Sequence, residues 1–348
     1  MIRNNNNRLV LEYIWIGGNG ELHSKTKVLD INRRMYQSIT DLPIWNYDGS
    51  STDQADIDAG NTEVILKPCG IYKDPLRNGS IKNYDCYLIL CETFHIDDSP
   101  LTTNSRNNAL HIFNKQPSEE PWFGLEQEYF MYKNEPWGNR DPTEIRDQKG
   151  FYCGTSLGDI QRKIAEEHLA ACLEAGLTIS GINAEVAYDQ WEFQVGPCEG
   201  IDAADQLYVA RYLLERIAEK YNVRISYEPK RYPYLNGSGC HTNFSTLTMR
   251  SEGGIAEIYN CMEKMEKAHE EHIIVYGKDN DKRLTGKCET ASMEKFSFGV
   301  GTRNTSVRIP NQTVKDGFGY FEDRRPAANM DPYLVTSRIF QTCCLGKM

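Results

Sequence analysis

The run Phe123-Gly124-Leu125-Glu126-Gln127-Glu128-Tyr129-Phe130 constrains this chain more tightly than any other. Its apolar and aromatic residues read as a strand over Trp122 to Tyr132, and side chains alternate along a strand. Glu126 and Glu128 therefore project from one face, and Leu125, Gln127 and Tyr129 from the other. Two carboxylates side by side on an otherwise apolar strand repel each other unless cations or protons sit between them. A fold built on this strand must leave that face in water or make a cation site of it.

Three more stretches favour the cation site. Ala184-Glu185-Val-Ala-Tyr-Asp-Gln-Trp-Glu192 sets two acids in apolar and aromatic company. Seven residues apart on a straight strand they face opposite ways, so they converge only if the chain turns near Tyr188-Asp189, as in a hairpin. Asn236-Gly-Ser-Gly-Cys-His241-Thr-Asn-Phe-Ser245 is a glycine-rich turn, open to close backbone approach by a ligand, that leads into a strand headed by a histidine. In Gly319-Tyr-Phe-Glu322-Asp-Arg324-Arg325-Pro326, Glu322 and Arg324 share a strand face. Each stretch has a plain alternative: a solvated strand face, a half-exposed hairpin, a structural histidine, an ion pair at a sheet edge. Together they put five glutamates and one histidine in β segments beside glycine-rich turns.

Oxygen donors with a single imidazole suit Mg²⁺ or Mn²⁺ better than structural zinc. Arg283, Arg303, Arg308, Arg324 and Arg325, all in the last quarter, call for a polyanion. Metal-bound carboxylates facing guanidinium groups neutralise a transferring phosphoryl group from both sides. No GxxxxGK[ST] or GxGxxG occurs, so neither a P-loop nor a dinucleotide fold is indicated. His269-Glu-Glu-His272 approaches a zinc-protease motif, but its spacing is wrong and it reads as a polar helix face.

The 348 residues allow one large or two smaller domains, and a net charge of −10 argues against nucleic-acid or anionic-membrane partners. Eleven scattered cysteines without Cys-x-x-Cys spacing, no apolar leader segment and no run long enough to span a bilayer point to reduced thiols in the cytoplasm. Met1 to Asn7 reads as a frayed tail. A hairpin is expected from Leu9 to Leu29 around Gly17 to Gly20, with strands at Glu63–Leu66 and Tyr84–Phe94. A polar stretch from Asp97 to Asn108 then suggests a boundary, here drawn between residues 1–100 and 101–348. Helices are expected over Leu157–Ala175, Asp205–Tyr221 and Gly254 to about Tyr276. Further strands are expected at Arg224–Tyr227, His241–Met249, Phe298–Ile309 and Gly319–Arg324. The order is not a strict βα alternation, so the class is α+β.

Taken in order, these stretches closely resemble glutamine synthetase of the eukaryotic type (type II). The likeness runs nearly end to end, from Trp45-Asn-Tyr-Asp48-Gly-Ser-Ser51-Thr to Gly-Tyr-Phe-Glu-Asp-Arg-Arg-Pro. The resemblance implies an N-terminal β-grasp domain and a larger catalytic domain with a curved antiparallel sheet and helices. It also implies ATP as co-substrate and two to three Mg²⁺ or Mn²⁺ ions per site. Glu128, Glu185 and Glu192 match ligands of the metal on the glutamate side; Glu126, His241 and Glu322 match those of the metal at the ATP phosphates. Asn236, Gly237 and Arg283 match glutamate-binding positions, and Arg303, Arg308 and Arg324 match those that meet phosphates. Asp48 and Ser51 match an ammonium pocket supplied by an adjacent subunit, and Glu289 matches a flap carboxylate. The implied reaction joins ammonia to the side-chain carboxylate of glutamate through a γ-glutamyl phosphate. The implied assembly is a decamer of two stacked pentameric rings with shared active sites.

The chain also departs from the family pattern. Cys288 stands where a histidine is usual before Glu289, Asn311 where an arginine is usual, and Leu247 where a lysine is common. Lys230 to Asn236 replaces a more regular loop. Rival expectations are a γ-glutamyl ligase that takes a larger amine and a non-catalytic homologue. The intact Asp48 pocket argues against the first, and the six retained ligands against the second.

Overall fold

A near-continuous buried apolar run at the start of the chain pairs with a half-exposed alternating strand to close a hairpin. In the computed structural model, which describes residues 8–30, 38–77, 81, 84–133, 150–155 and 159–346, β1 (Arg8–Ile16) pairs antiparallel with β2 (Leu22–Asp30). The tail expected at Met1 to Asn7 lies outside the described residues. With β3 (Trp45–Asp48), β4 (Glu63–Lys73) and β5 (Asp85–Phe94) they form a mixed sheet of order β2-β1-β5-β4-β3, β1 and β5 running parallel. This arrangement is consistent with a β-grasp. Its core holds Leu9, Leu11, Tyr13, Trp15, Leu66 and Ile89. The strand expected to end at Leu66 continues to Lys73, with a register irregularity between Pro68 and Gly70. Pro68 interrupts the pattern because it has no N–H to give the ladder, yet the strand resumes beyond it.

The chain divides into two compact units, Met1–Asn108 with Ala170–Leu177 and Ala109–Leu169 with Thr178–Met348. After α1 (Ser105–Phe113), the second unit is organised around β6 (Trp122–Tyr132). Next come α2 (Asp159–Ala175), β7 (Ile179–Ala184), β8 (Gln190–Glu199), α3 (Ile201–Lys220), β9 (Arg224–Ser226) and β10 (Cys240–Ser245). The rest of the chain supplies α4 (Leu247–Arg250), α5 (Ile255–Lys267), α6 (His269–Val275), β11 (Phe298–Val300), β12 (Val307–Ile309), α7 (Asn311–Asp316), β13 (Phe321–Asp323) and α8 (Pro332–Phe340). The sheet order is β11-β12-β13-β10-β6-β8-β7, with β9 also paired to β6. Its ladders are antiparallel except β11–β12, which is parallel. The architecture is α+β.

One face of this sheet is core. Phe123, Phe244 and Phe321 stand opposite one another on β6, β10 and β13, their rings 5.1 and 5.5 Å apart. Arg211 of α3 donates from Nε to Gln127 at 2.8 Å on the same side, and from Nη2 to the Ala328 carbonyl at 3.0 Å. With Nη1 donating to the Met330 carbonyl at 3.1 Å, each nitrogen of the buried Arg211 guanidinium has an acceptor. The opposite face carries the carboxylates.

Several expectations change in extent or continuity, among them that the helix expected from Asp205 begins at Ile201 and the strand expected over Gly319–Arg324 is confined to Phe321–Asp323. The strand expected from His241 to Met249 stops at Ser245, because Thr246 caps α4 by accepting from the Met249 amide at 3.3 Å. The long helix expected from Gly254 breaks at Ala268 (φ −101°, ψ 13°) into α5 and α6. Phe298–Ile309 is two short strands joined by a loop rather than one strand. All eleven cysteines are free thiols, seven of them buried; Cys153 and Cys288 are exposed. Among the described residues no helix is long and apolar enough to cross a membrane.

Candidate active site

Strand register does most of the assembly. Glu126 on β6 faces His241 on β10 and Gln194 on β8, and Glu128 faces Glu192. Further across the sheet, Asn243 of β10 faces Glu322 of β13, which in turn faces Arg308 of β12. Directly opposed residues share a face, and so do residues two apart on one strand. Residues far apart in the chain therefore form one polar band on the face away from the phenylalanine row. Glu185 joins them from the β7–β8 turn, where Asp189 takes a left-handed backbone (φ 66°) and the Glu185 amide donates to the Gln190 carbonyl at 2.9 Å. The hairpin expected from the parity of Glu185 and Glu192 is present.

The six acid and imidazole side chains fall into two triads, Glu126–His241–Glu322 and Glu128–Glu185–Glu192. In each, one donor atom per residue lies within 4.8 Å of the others. His241 Nδ1 is 3.6 Å from Glu126 Oε2 and 3.5 Å from Glu322 Oε1. Burial, reinforced by the Arg324 charge, holds the His241 pKa well below its ordinary value, so the ring is neutral and can offer a lone pair. Burial and then the Glu185 charge push Glu128 up to about 8. Burial and then the charges of Glu126, Glu128 and Glu185 push Glu192 up to about 9. Carboxylates crowded this closely favour either a proton or a cation among them. The hard oxygen donors and single neutral imidazole fit divalent cations of the magnesium or manganese kind.

Neighbouring amides aim these oxygens. Asn243 donates to Glu126 Oε1 at 2.7 Å, Asn183 to Glu185 Oε1 at 3.0 Å, and Gln194 to Glu192 Oε1. Gln190 reaches Glu128 Oε2 at 3.3 Å, and the Gly239 amide donates to that oxygen at 2.7 Å. Such partners hold metal ligands in place and are part of the site. A side chain at Gly239 has no room: a Cβ there would lie 2.3 Å from Arg283 Nη2 and 2.9 Å from His241 Nε2.

Guanidinium groups face the acids. Arg324 Nη1 donates to Glu322 Oε1 at 2.8 Å, Arg308 pairs with the other Glu322 oxygen, and Arg283 Nη2 lies 3.0 Å from His241 Nε2. Burial pulls the Arg283 pKa down to about 10, which leaves it charged at neutral pH. Arg303 lies near the Tyr152 ring, its Cζ 5.9 Å from the centroid. These groups, with Asn236, Gly237, Cys288 and Glu289, line a cavity of about 200 Å³ whose walls are strongly polar. A second cavity of about 440 Å³ shares Glu126 and Gln194 with it and is walled by Trp122, Phe123, Val195, Pro197, Phe244 and Tyr320. A charged compartment beside an apolar one suits a ligand with an anionic end and a flat, apolar end.

The structure thus brings together all six expected metal ligands, Arg283, Arg303, Arg308, Arg324, Asn236, Gly237 and Glu289. Asp48 and Ser51 are exposed in the other compact unit. The Ser50 hydroxyl and amide hold the Asp48 carboxylate below the usual carboxylate range, so it stays ionised. Arg325 points away from the cavity and is buried against Asp323. His269 and His272 are buried, not on a polar face. Sequence reasoning passed over Asn183, Gln190, Gln194, Asn243 and Tyr152. Gln194 and Asn243 each lie two residues beyond an expected ligand, Glu192 and His241, so strand alternation alone places them on the same face.

Residues 106–270 match the family described as "Glutamine synthetase, catalytic domain". A protein of Acanthamoeba polyphaga mimivirus is 53% identical over 341 residues, covering 96% of this chain and 94% of the relative. The glutamine synthetase of Agaricus bisporus is 47% identical over 344 residues, covering 98% of this chain and 94% of the relative. That of Saccharomyces cerevisiae is 48% identical over 341 residues, covering 97% and 90%.

Proposed function

The chain belongs to the glutamine synthetase family, and from that premise we infer how its own residues carry the ATP-dependent formation of glutamine from glutamate and ammonia. The family uses ATP and a divalent metal, and two acidic triads are available here to hold the metal. The observation that carries the assignment is the register that sets His241 opposite Glu126 and Glu128 opposite Glu192 on one face.

Glu126, His241 and Glu322 would hold the cation at the ATP phosphates, and Glu128, Glu185 and Glu192 the one on the glutamate side. Mg²⁺ or Mn²⁺, when bound there, would supply charge neutralisation for the phosphoryl oxygens. The second, apolar cavity takes the nucleoside, because it opens beside Glu126 at the phosphate end. Asn236, Gly237 and Arg283 hold glutamate, with Arg283 fixed by its bonds to the Arg324 and Arg325 carbonyls. A side-chain carboxylate oxygen of glutamate attacks the γ-phosphorus and ADP leaves. Arg303, Arg308 and Arg324 offset the charge that spreads over the phosphoryl oxygens in transit.

The second half replaces phosphate by nitrogen. Asp48 and Ser51, supplied by a neighbouring subunit, attract ammonium, and Asp48 takes the proton that frees its lone pair. Ammonia attacks the carbonyl carbon and phosphate leaves. Glu289 closes over the acyl phosphate and excludes water. In this reading residues 1–100 carry the ammonium pocket and residues 101–348 the rest, within a decamer of two pentameric rings. Eleven free thiols support work in the reducing cytoplasm.

The test measures phosphate and glutamine from ATP, glutamate and Mg²⁺ or Mn²⁺, with and without ammonium. Ammonium-dependent glutamine, one per phosphate, is expected. Turnover that ignores ammonium and needs a larger amine would instead make this a different γ-glutamyl ligase.

A further inference from the structure

Glu289 sits at the tip of a loop with two anchored arms. Thr285 bridges Ser292, the Gly286 amide donates to the Ala291 carbonyl at 3.2 Å, and the Met293 amide donates to the Leu284 carbonyl at 3.0 Å. At the tip, Cys288 (φ 52°) and Glu289 (φ 62°) take a left-handed backbone that costs a non-glycine residue energy. A tip in that conformation needs arms held from outside. The outgoing arm is held by Arg283, which donates to the Arg324 carbonyl at 3.1 Å and the Arg325 carbonyl at 3.2 Å.

The return arm is held from α6. His269 Nε2 lies 2.8 Å from the Met293 carbonyl, and its Nδ1 lies 2.8 Å from Arg325 Nη1. A carbonyl only accepts and a guanidinium only donates, so the two partners dictate the tautomer: Nε2 carries the hydrogen and Nδ1 the lone pair. Burial lowers the His269 pKa, in keeping with a neutral ring. Arg325 is itself locked, donating from Nε and Nη2 to the two Asp323 oxygens at 2.9 and 2.7 Å. Tyr276 and Phe296 rings lie on it, each 5.1 Å from its Cζ. Asp323 lies between Glu322 and Arg324 in the chain but points to the other face of β13. The relay Met293–His269–Arg325–Asp323 therefore ties the loop's return arm to β13, which carries Glu322 and leads directly into Arg324.

We propose that His269 is a positioning residue that holds the return arm of the Glu289 loop in register with β13, so that the loop can shield the acyl phosphate. The inference rests on the reading of Glu289 as the closing carboxylate. Without the His269 clamp the loop closes poorly and water reaches the γ-carbonyl carbon. The carbon–oxygen bond to phosphate breaks, glutamate is regenerated, and ATP is spent without glutamine.

The assembled enzyme and its His269→Ala, His269→Asn and His269→Gln variants are assayed for phosphate and glutamine with saturating glutamate, ATP and Mg²⁺. Wild type should release one phosphate per glutamine. His269→Ala should raise that ratio at least about threefold and increase phosphate release without ammonium, leaving the ATP KM within about twofold. His269→Gln, long enough to donate to the Met293 carbonyl, should bring the ratio back towards one. His269→Asn keeps an acceptor for Arg325 but does not reach Met293, so it should uncouple as alanine does, and it decides the matter if the alanine variant fails to assemble. A ratio of one in His269→Asn, or proportional loss of both products in every variant, overturns the positioning role. Phosphate without glutamine in the wild type would overturn the functional reading instead.

Discussion

His241 stands directly opposite Glu126 across the β6–β10 ladder, and its Nδ1 lies between Glu126 Oε2 at 3.6 Å and Glu322 Oε1 at 3.5 Å. The second triad repeats the device with Glu128 opposite Glu192. Like charges forced together by strand register destabilise the fold until a cation joins them. Mg²⁺ or Mn²⁺ should therefore raise the unfolding midpoint, with a stabilisation of about 2.7 kcal/mol when free metal is a hundred times its Kd. Glu192→Gln should lose glutamine synthesis and part of the metal-dependent shift. Thermal unfolding with and without chelator checks this, and an unchanged wild-type midpoint would remove the triads from metal binding.

Gly239 is required for the space it leaves, not for its backbone angle. A Cβ there would meet Arg283 Nη2 at 2.3 Å and His241 Nε2 at 2.9 Å, and the residue's amide already donates to Glu128. Gly239→Ala should push both side chains out of place and lower kcat/KM for glutamate by about a hundredfold, or ~2.7 kcal/mol of transition-state stabilisation. Overpacking of this kind costs about 1–3 kcal/mol of stability, so the variant should still fold. Wild-type kcat/KM in a folded Gly239→Ala protein would show that the cavity relaxes around the methyl.

How much of this was legible beforehand depended on distance along the chain. Glu126 with Glu128, and Glu322 with Arg324, follow from a two-residue period, and the Glu185–Glu192 turn follows from an odd separation. Parity also puts Arg325 on the opposite face from Arg324, against Asp323 and away from the other arginines. Pairing β10 between β6 and β13 joins residues more than a hundred positions apart on one side, and no local pattern encodes it. The two triads were separable only through family resemblance for that reason. His269 and His272 continue the buried stripe of Ile258, Met262 and Met265 at spacings of four and three, so the helical period places both rings inward although the residues are polar.

His168 gives the fold a readable pH response. It lies buried in α2, 2.9 Å from the Ala210 carbonyl and 4.8 Å from the Phe193 ring centroid, and burial pulls its pKa down to about 4. Below its ordinary value of 6.5 the unfolded chain takes up a proton that the folded chain refuses. Stability should fall as the pH drops from about 6.5 to about 4, by roughly 2 kcal/mol on reaching pH 5. Denaturant unfolding at pH 7.5 and pH 5 should show a smaller loss for His168→Gln than for wild type. Equal losses would show that other groups govern the acid side.

Cys288 puts a thiol next to Glu289 at the tip of its loop. It is exposed and lines the charged cavity, so a reagent that reaches it meets the substrate site. An uncharged maleimide should alkylate Cys288 and inactivate the enzyme, because the added bulk keeps the flap from seating over the acyl phosphate. ATP and glutamate together should slow the loss by filling the cavity and drawing Glu289 inwards. Cys153 is also exposed and follows the cavity residue Tyr152, so both thiols need separate variants. Cys288→Ser should keep most of its own starting rate through the treatment, whereas Cys153→Ser should be inactivated like wild type. Mass spectrometry should find the adduct on Cys288 at the time activity disappears. Full inactivation of Cys288→Ser would shift the sensitivity to Cys153 or a buried thiol and leave Cys288 without a part in closure.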